Sequence, residues 1–133
     1  MTFKIEWVEG GVFWNYSGTV SSEEILESNK EVYGDERFDQ IRFEVANFLN
    51  TNGIEFTAKD VRIIAALDRA AALTNPRIRV VLLATEPKIV KILETYLEGI
   101  RGGPWIAQVF SSLDEAAVWL GGPLPASAPE LAR

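Results

Sequence analysis

Phe3, Ile5 and Trp7 alternate with Lys4 and Glu6, and beyond Gly10-Gly11 the alternation resumes with Val12, Trp14 and Tyr16 set against Phe13, Asn15 and Ser17. A two-residue rhythm on both sides of a glycine pair predicts a β-hairpin, because a tight turn needs the positive φ that glycine adopts at no steric cost. Gly18 is expected to close the second strand. The rhythm then lengthens. Ser21-Ser22-Glu23-Glu24 has the form of a capping box, and Ile25, Leu26, Val32 and Tyr33 recur at helical spacing, which predicts a helix over 22–33 with Gly34 as its left-handed stop. Asn29 falls within that stripe, where hydrogen-bonded burial is the expected state. Ile41, Phe43 and Val45 alternate with Arg42, Glu44 and Ala46, a third strand over 41–47 with one polar face, followed by a polar loop through Gly53.

Thr57 is placed to cap a helix over 58–74, with Ile64, Leu67 and Ala71 as its apolar stripe and Asn75-Pro76 as its end. The run from Ile78 to Ala84 is almost wholly aliphatic, the signature of a strand covered on both faces, and it is expected at the centre of the core. Thr85 is expected to cap the next helix, with Pro87 in its first turn and Gly99 at its end. Trp105–Phe110 then reads as a fifth strand, and Ser112-Leu-Asp-Glu115 as a second capping box opening a helix over 113–120.

The order β-β-α-β-α-β-α-β-α, with short connections, predicts an α/β fold: a five-stranded, mostly parallel sheet with right-handed crossovers and an N-terminal antiparallel hairpin at its edge. Residues 1–121 form one expected domain, and 122–133, with three of the six prolines, an expected flexible Pro/Ala-rich tail. Reading the alternation across the first three strands together, Lys4, Glu6, Asn15, Ser17, Arg42 and Glu44 are expected on one partly exposed side. Arg42 and Glu44 are therefore candidates for an interface, with a homodimer as the hypothesis for what covers them.

Composition narrows the chemistry more than the fold. The chain of 133 residues has a formal charge of −6 and neither His nor Cys, which excludes Ser-His-Asp and Cys-His triads, thiol nucleophiles and the usual zinc sites. Residues 1–55 carry 4 basic and 11 acidic side chains, against 8 and 5 over residues 56–101; ordinary solvated surface is the favoured reading, and self-association across opposite potentials the alternative. The surplus in the middle is too small for a footprint on nucleic acid. No apolar run approaches the ~20 residues of a membrane-spanning helix, and Lys4 and Glu6 interrupt any signal-peptide core, so a cytoplasmic protein is expected.

Asn47, Asn50, Thr51 and Asn52 are expected beyond the carboxyl end of a parallel strand, the edge where open α/β sheets place ligands, and Thr85 reaches the same edge. They form the candidate ligand or partner loop, although turns use the same residue types. Of the four tryptophans, Trp14 near the hairpin edge is the one expected to be least committed to the core. The acidic pairs are helix caps or lack the spaced ligands of a calcium loop. No catalytic residue, cofactor or metal site is expected.

The string of elements, Ile54-Glu-Phe-Thr-Ala-Lys-Asp-Val61 leading into Ala-Ala-Leu-Asp68, Asn75-Pro76, and the closing Val109-Phe-Ser-Ser-Leu-Asp-Glu-Ala-Ala-Val-Trp119 resemble the SpoIIAA-like, or STAS/CRAL-TRIO-like, domain family. The resemblance implies anti-sigma factor antagonists that switch partners on serine phosphorylation, regulatory domains of transporters and, for the related lipid carriers, binding of small hydrophobic molecules. The antagonists' acceptor serine follows an aspartate and precedes a glycine at the start of the second helix. Thr57 occupies that place here, between Phe56 and Ala58, and is the candidate phosphoacceptor. The expectation is a non-enzymatic regulatory or protein-interaction module, with a carrier of a small, lipid-like ligand as the alternative.

Overall fold

The computed structural model describes residues 2–122. From Pro123 onward the expected tail lies outside the described residues. Strands β1 (Phe3–Val8) and β2 (Gly11–Ser21) pair antiparallel, and β3 (Phe43–Glu55), β4 (Arg79–Leu83) and β5 (Ile106–Phe110) follow β2 in parallel, so that spatial order repeats chain order. Helices α1 (Ser22–Tyr33), α2 (Ala58–Thr74) and α3 (Pro87–Ile100) cover one face, and α4 (Leu113–Leu120) covers part of the other.

The main core lies beneath α1, α2 and α3, where Val12, Trp14 and Tyr16 of β2 meet Val80 and Leu82 of β4. A smaller core of Phe13, Val45, Val81 and Leu83 lies under Leu113 and Ala116 of α4. Gly10 takes the positive φ of the hairpin turn, and Gly11 is needed for a different reason: a Cβ there would stand 2.3 Å from the Phe43 ring. The expected capping box at Ser21 forms, and the expected cap Thr57 forms one too, with Asp60; at Ser112 only half of the expected box is present, the hydroxyl accepting from the Glu115 N–H, and Gly121 ends α4 in the left-handed conformation.

Several boundaries differ from the sequence reading. Gly34 ends α1 with φ −88, its N–H donating to the carbonyls of Lys30 and Val32, so no left-handed stop is used. A short 3-10 helix, Glu36–Gln40, follows, with Asp35 as its cap. Gly18 does not close β2; it sits inside the strand at φ +67, beside a shift of register against β3. The expected loop after Asn47 is strand as well, because β3 continues to Glu55 along the extended β2. β4 is interior and buried, but the middle position of the sheet belongs to β3. The N-cap of α3 is Glu86, whose carboxylate accepts from the Ile89 N–H at 3.1 Å, and not Thr85.

Asn75 ties these layers together. Its buried side-chain amide donates to the carbonyls of Phe38 and Ile41 at 2.8 and 2.9 Å, while its own carbonyl accepts from Trp105 Nε1 at 2.7 Å. Asn75→Ala leaves two buried carbonyls without a donor and is expected to lower stability by about 2–3 kcal/mol in urea titration.

Candidate functional site

The residues expected to form a ligand loop are not assembled into one. Asn47 is buried and structural: its Nδ2 donates to Asn15 Oδ1 at 3.1 Å and its Oδ1 accepts from the Leu49 N–H at 3.0 Å, which supports the register shift of β2 on β3. Thr51 donates to the Phe48 carbonyl at 2.6 Å, and Asn50, Asn52 and Thr85 are exposed. None of the five lines the cavity between the sheet and α1, α2 and α3. Trp14 is buried, with Nε1 donating to the Ser28 carbonyl at 3.0 Å. The half-buried tryptophans are Trp7 and Trp119, each under an arginine, Arg37 at 4.3 Å and Arg79 at 4.0 Å.

The expected polar side of the sheet is divided between its two faces. Register pairs Lys4 with Asn15, Asn15 with Asn47 and Phe13 with Val45, so these share the α4 face, whereas Val12 pairs with Glu44 and takes it to the opposite one. Arg42 is exposed just before β3. Glu44 is only 1 % exposed, inside the main core, and cannot join Arg42 in a surface interface. The alternation Phe43, Glu44, Val45 holds, but Glu44 falls on the face that α1, α2 and α3 cover, so this polar position does not face out.

Glu44 has company that the sequence pattern concealed. Asp68 lies on the buried face of α2, on the same stripe as Val61, Ile64, Ala65 and Ala72, while Leu67, expected on that stripe, points outward. The spacing of Asp68 from Val61 and Ile64 held the clue, and its charge hid it. Close approach of the helices sets its surroundings: a Cβ on Gly99 of α3 would lie 2.6 Å from Ala65 Cβ, and three residues from each stand Tyr96 and Asp68. Tyr96 donates its hydroxyl to Asp68 Oδ2, Tyr33 donates to Oδ1 at 2.9 Å, and Asn29 Nδ2 reaches Oδ1 at 3.5 Å.

The two acids are treated differently by these surroundings. Burial raises the Asp68 carboxyl to about 6, against the tyrosine hydrogen bonds that lower it. Burial also raises Glu44 well above its ordinary value, and the Asp68 charge adds to the rise. Among the described residues Glu44 Oε2 has no hydrogen-bond partner. The hydroxyls thus favour the carboxylate form of Asp68, while burial without such donors favours the protonated form of Glu44. Both border a cavity of about 60 Å³ between the sheet and α1, α2 and α3, walled by Trp14, Tyr16, Phe48 and Phe56.

Thr57 is exposed at the start of α2, where its hydroxyl accepts from the Asp60 N–H at 3.2 Å and its own N–H donates to the Asp60 carboxylate at 2.9 Å. The outward face of this helix is apolar: Ile63, Leu67 and Leu73 are 45, 50 and 83 % exposed, with the exposed Ala66 and Ala70 between them.

An antiparallel hairpin edge, three further parallel strands in chain order and the helix over the second crossover define the SpoIIAA-like, STAS-type fold. Among solved structures the chain is similar to the anti-sigma factor antagonist SpoIIAA in its unphosphorylated form, at 16 % identity over 89 % of this chain and 96 % of that one, with a TM-score of 0.59. It is likewise similar to the Bacillus cell fate determinant SpoIIAA in its phosphorylated form, at 15 % identity over 89 and 98 % of the chains and a TM-score of 0.58. An uncharacterized protein of the DUF3478 family with a SpoIIAA-like fold, from Shewanella loihica PV-4, matches at 14 % identity over 89 and 91 %, with a TM-score of 0.50. At such identities the likeness is one of fold. No family model and no curated protein matches the chain. Among the described residues no helix is long and apolar enough to cross a membrane.

Proposed function

We propose that this chain is a regulatory module without chemistry of its own, which works by docking a protein partner on the outward face of α2. The observation that carries the reading is the stripe of Ile63, Ala66, Leu67, Ala70 and Leu73 on a helix whose opposite side is already spent on the core. A helix of a monomer normally turns charge to water; contiguous apolar exposure marks a contact surface. Exposed Lys59, Arg62 and Arg69 flank the stripe and suit a partner with an acidic rim. The fold neighbours that are anti-sigma factor antagonists lend support, since antagonism is exerted on another protein.

This placement moves the interface from the sheet face, where Arg42 and Glu44 were expected to supply it, to a helix. Thr57 stands at the head of the same helix, exposed enough for a kinase, and its modification would act at the docking surface itself. An added phosphate would also face the Asp60 carboxylate of the capping box, a like-charge contact that loosens the first turn.

The test is quantitative capture from native extract with the wild type and with Leu67→Asp/Leu73→Asp. Both positions are exposed, so the double variant is expected to keep its fold while losing a partner that the wild type retains, by tenfold or more. Equal recovery by the two proteins, or no specific partner for either, would overturn the reading.

A carrier of a small ligand is the second reading, favoured by the cavity beside Glu44. At about 60 Å³ the cavity holds roughly two waters and is well below the ~150 Å³ that accepts a benzene-sized guest, so an acyl chain is poorly served.

A further inference from the structure

We propose that the cavity beside Glu44 receives a small primary ammonium group, with Glu44 Oε2 as its acceptor and Trp14, Tyr16, Tyr33 and Tyr96 as its aromatic surroundings. This inference is independent of partner docking on α2 and gives the second reading a specific class of ligand.

The hydrogen-bond inventory of the walls points to it. Trp14 Nε1 is taken by the Ser28 carbonyl, and the hydroxyls of Tyr33 and Tyr96 are taken by Asp68. Ser28 gives its hydroxyl proton to the Ile25 carbonyl at 2.8 Å, so in the 2.7 Å contact between Ser28 and Tyr16 it is Tyr16 that donates. The aromatic donors are thus committed, while a buried acceptor, Glu44 Oε2, is left over. For Glu44 to accept it must first give up its own proton, and the guest then brings the N–H or O–H, since beside the aromatic donors the lining offers only the Asn29 amide, 3.5 Å from Asp68 Oδ1.

Charge selects among guests that do. Glu44 and Asp68 are the titratable acids of the lining, and no Lys or Arg lines the cavity to balance them. An anionic head such as a carboxylate or phosphate would add a like charge to a site of low polarity, whereas a cation compensates the pair. The π faces of the tryptophan and tyrosines favour the same sign. Among the described residues no group of three metal-ligating side chains occurs, so the site offers a metal ion no cage of carboxylates. Volume sets the last limit: about 60 Å³ admits an ammonium and the first carbon or two behind it.

Occupation is coupled to proton release. Without a guest, burial favours the protonated form of Glu44. When the ammonium enters, Glu44 gives that proton to the solvent and its carboxylate accepts hydrogen bonds from the guest, so charge within the cavity is conserved.

Isothermal titration calorimetry with n-propylammonium chloride at pH 7 tests this. One molecule is expected to bind per chain, with about one proton released, read from the dependence of the binding enthalpy on buffer ionisation heat. Propanol and propionate are expected to bind at least tenfold more weakly. Glu44→Gln should lose propylammonium binding at least tenfold, and so should Ala46→Leu, which keeps the carboxyl but fills the cavity from the sheet side. Absence of propylammonium binding, equal binding of propanol, or undiminished binding by either folded variant would overturn the proposal.

Discussion

Glu44→Met is expected to make the protein more stable, by about 2 kcal/mol at pH 7, although it alters the middle strand of the sheet. The two side chains have similar volume, so the packing survives, and the substitution removes a buried polar group with an unpartnered oxygen, which costs ~1–3 kcal/mol in a folded protein. The gain depends on pH in a definite sense. The folded-state carboxyl is raised above its ordinary value of 4.5, first by burial and then by the Asp68 charge. Above that value the folded chain binds a proton that the unfolded chain has lost, so wild-type stability declines as pH rises from 4.5 through the folded value. Glu44→Met lacks this decline, and its advantage should widen with pH in urea unfolding measured from pH 4.5 to 8. A destabilised variant, or a constant difference across that range, would contradict the assignment.

Asp68→Leu is expected to do the opposite, although Asp68 is also a buried acid facing the same cavity. Here the carboxylate is the acceptor for the Tyr33 and Tyr96 hydroxyls, and removing it strands two donors in the core. The expected loss is about 3 kcal/mol near pH 5. The wild-type carboxyl is raised from 3.8 to about 6, so the stability tied to its proton is complete below 3.8 and is lost by the time pH passes 6. The variant has no such loss, and its deficit should narrow towards pH 7. Asp68→Asn, which retains one acceptor oxygen, should cost less than Asp68→Leu at every pH. The contrast between the two positions is one of partners: burial is common to both, and hydrogen-bond donors reach only one.

Much of the fold was legible because local rules and tertiary packing agree on it. The hairpin at Gly10-Gly11, the capping box at Ser21, the cap at Thr57 and the aliphatic run of β4 each state a conformation within a few residues. The continuation of β3 through Asn47–Asn52 was not legible, since Asn, Thr and Gly are turn formers by propensity and only the neighbouring β2 holds them extended. The site was nearly hidden. Period-two alternation told correctly that Glu44 and Val45 face opposite ways, but it carries no information on which face a helix will cover. Hydrophobicity points to Leu67 on the inward stripe of α2, whereas the inward residue is Asp68, an acid with tyrosine partners more than 25 positions away in sequence. The cap at Thr57 is legible because a threonine stands directly before the helical run; the Asp60 carboxylate that completes a box with it is seen only in the structure.

The sheet whose spatial order repeats the order of its strands has a consequence for biogenesis. Each new strand joins an edge that the preceding segment has just completed, and none has to be threaded between two already paired. Contacts between strands thus stay comparatively short in sequence, and a chain emerging from the ribosome can dock its β-α units one after another without waiting for the C-terminus. The acids of the core come from β3 and α2, so they are enclosed only when α3 arrives to lay Tyr96 over them, and the burial of charge is among the later events of that growth.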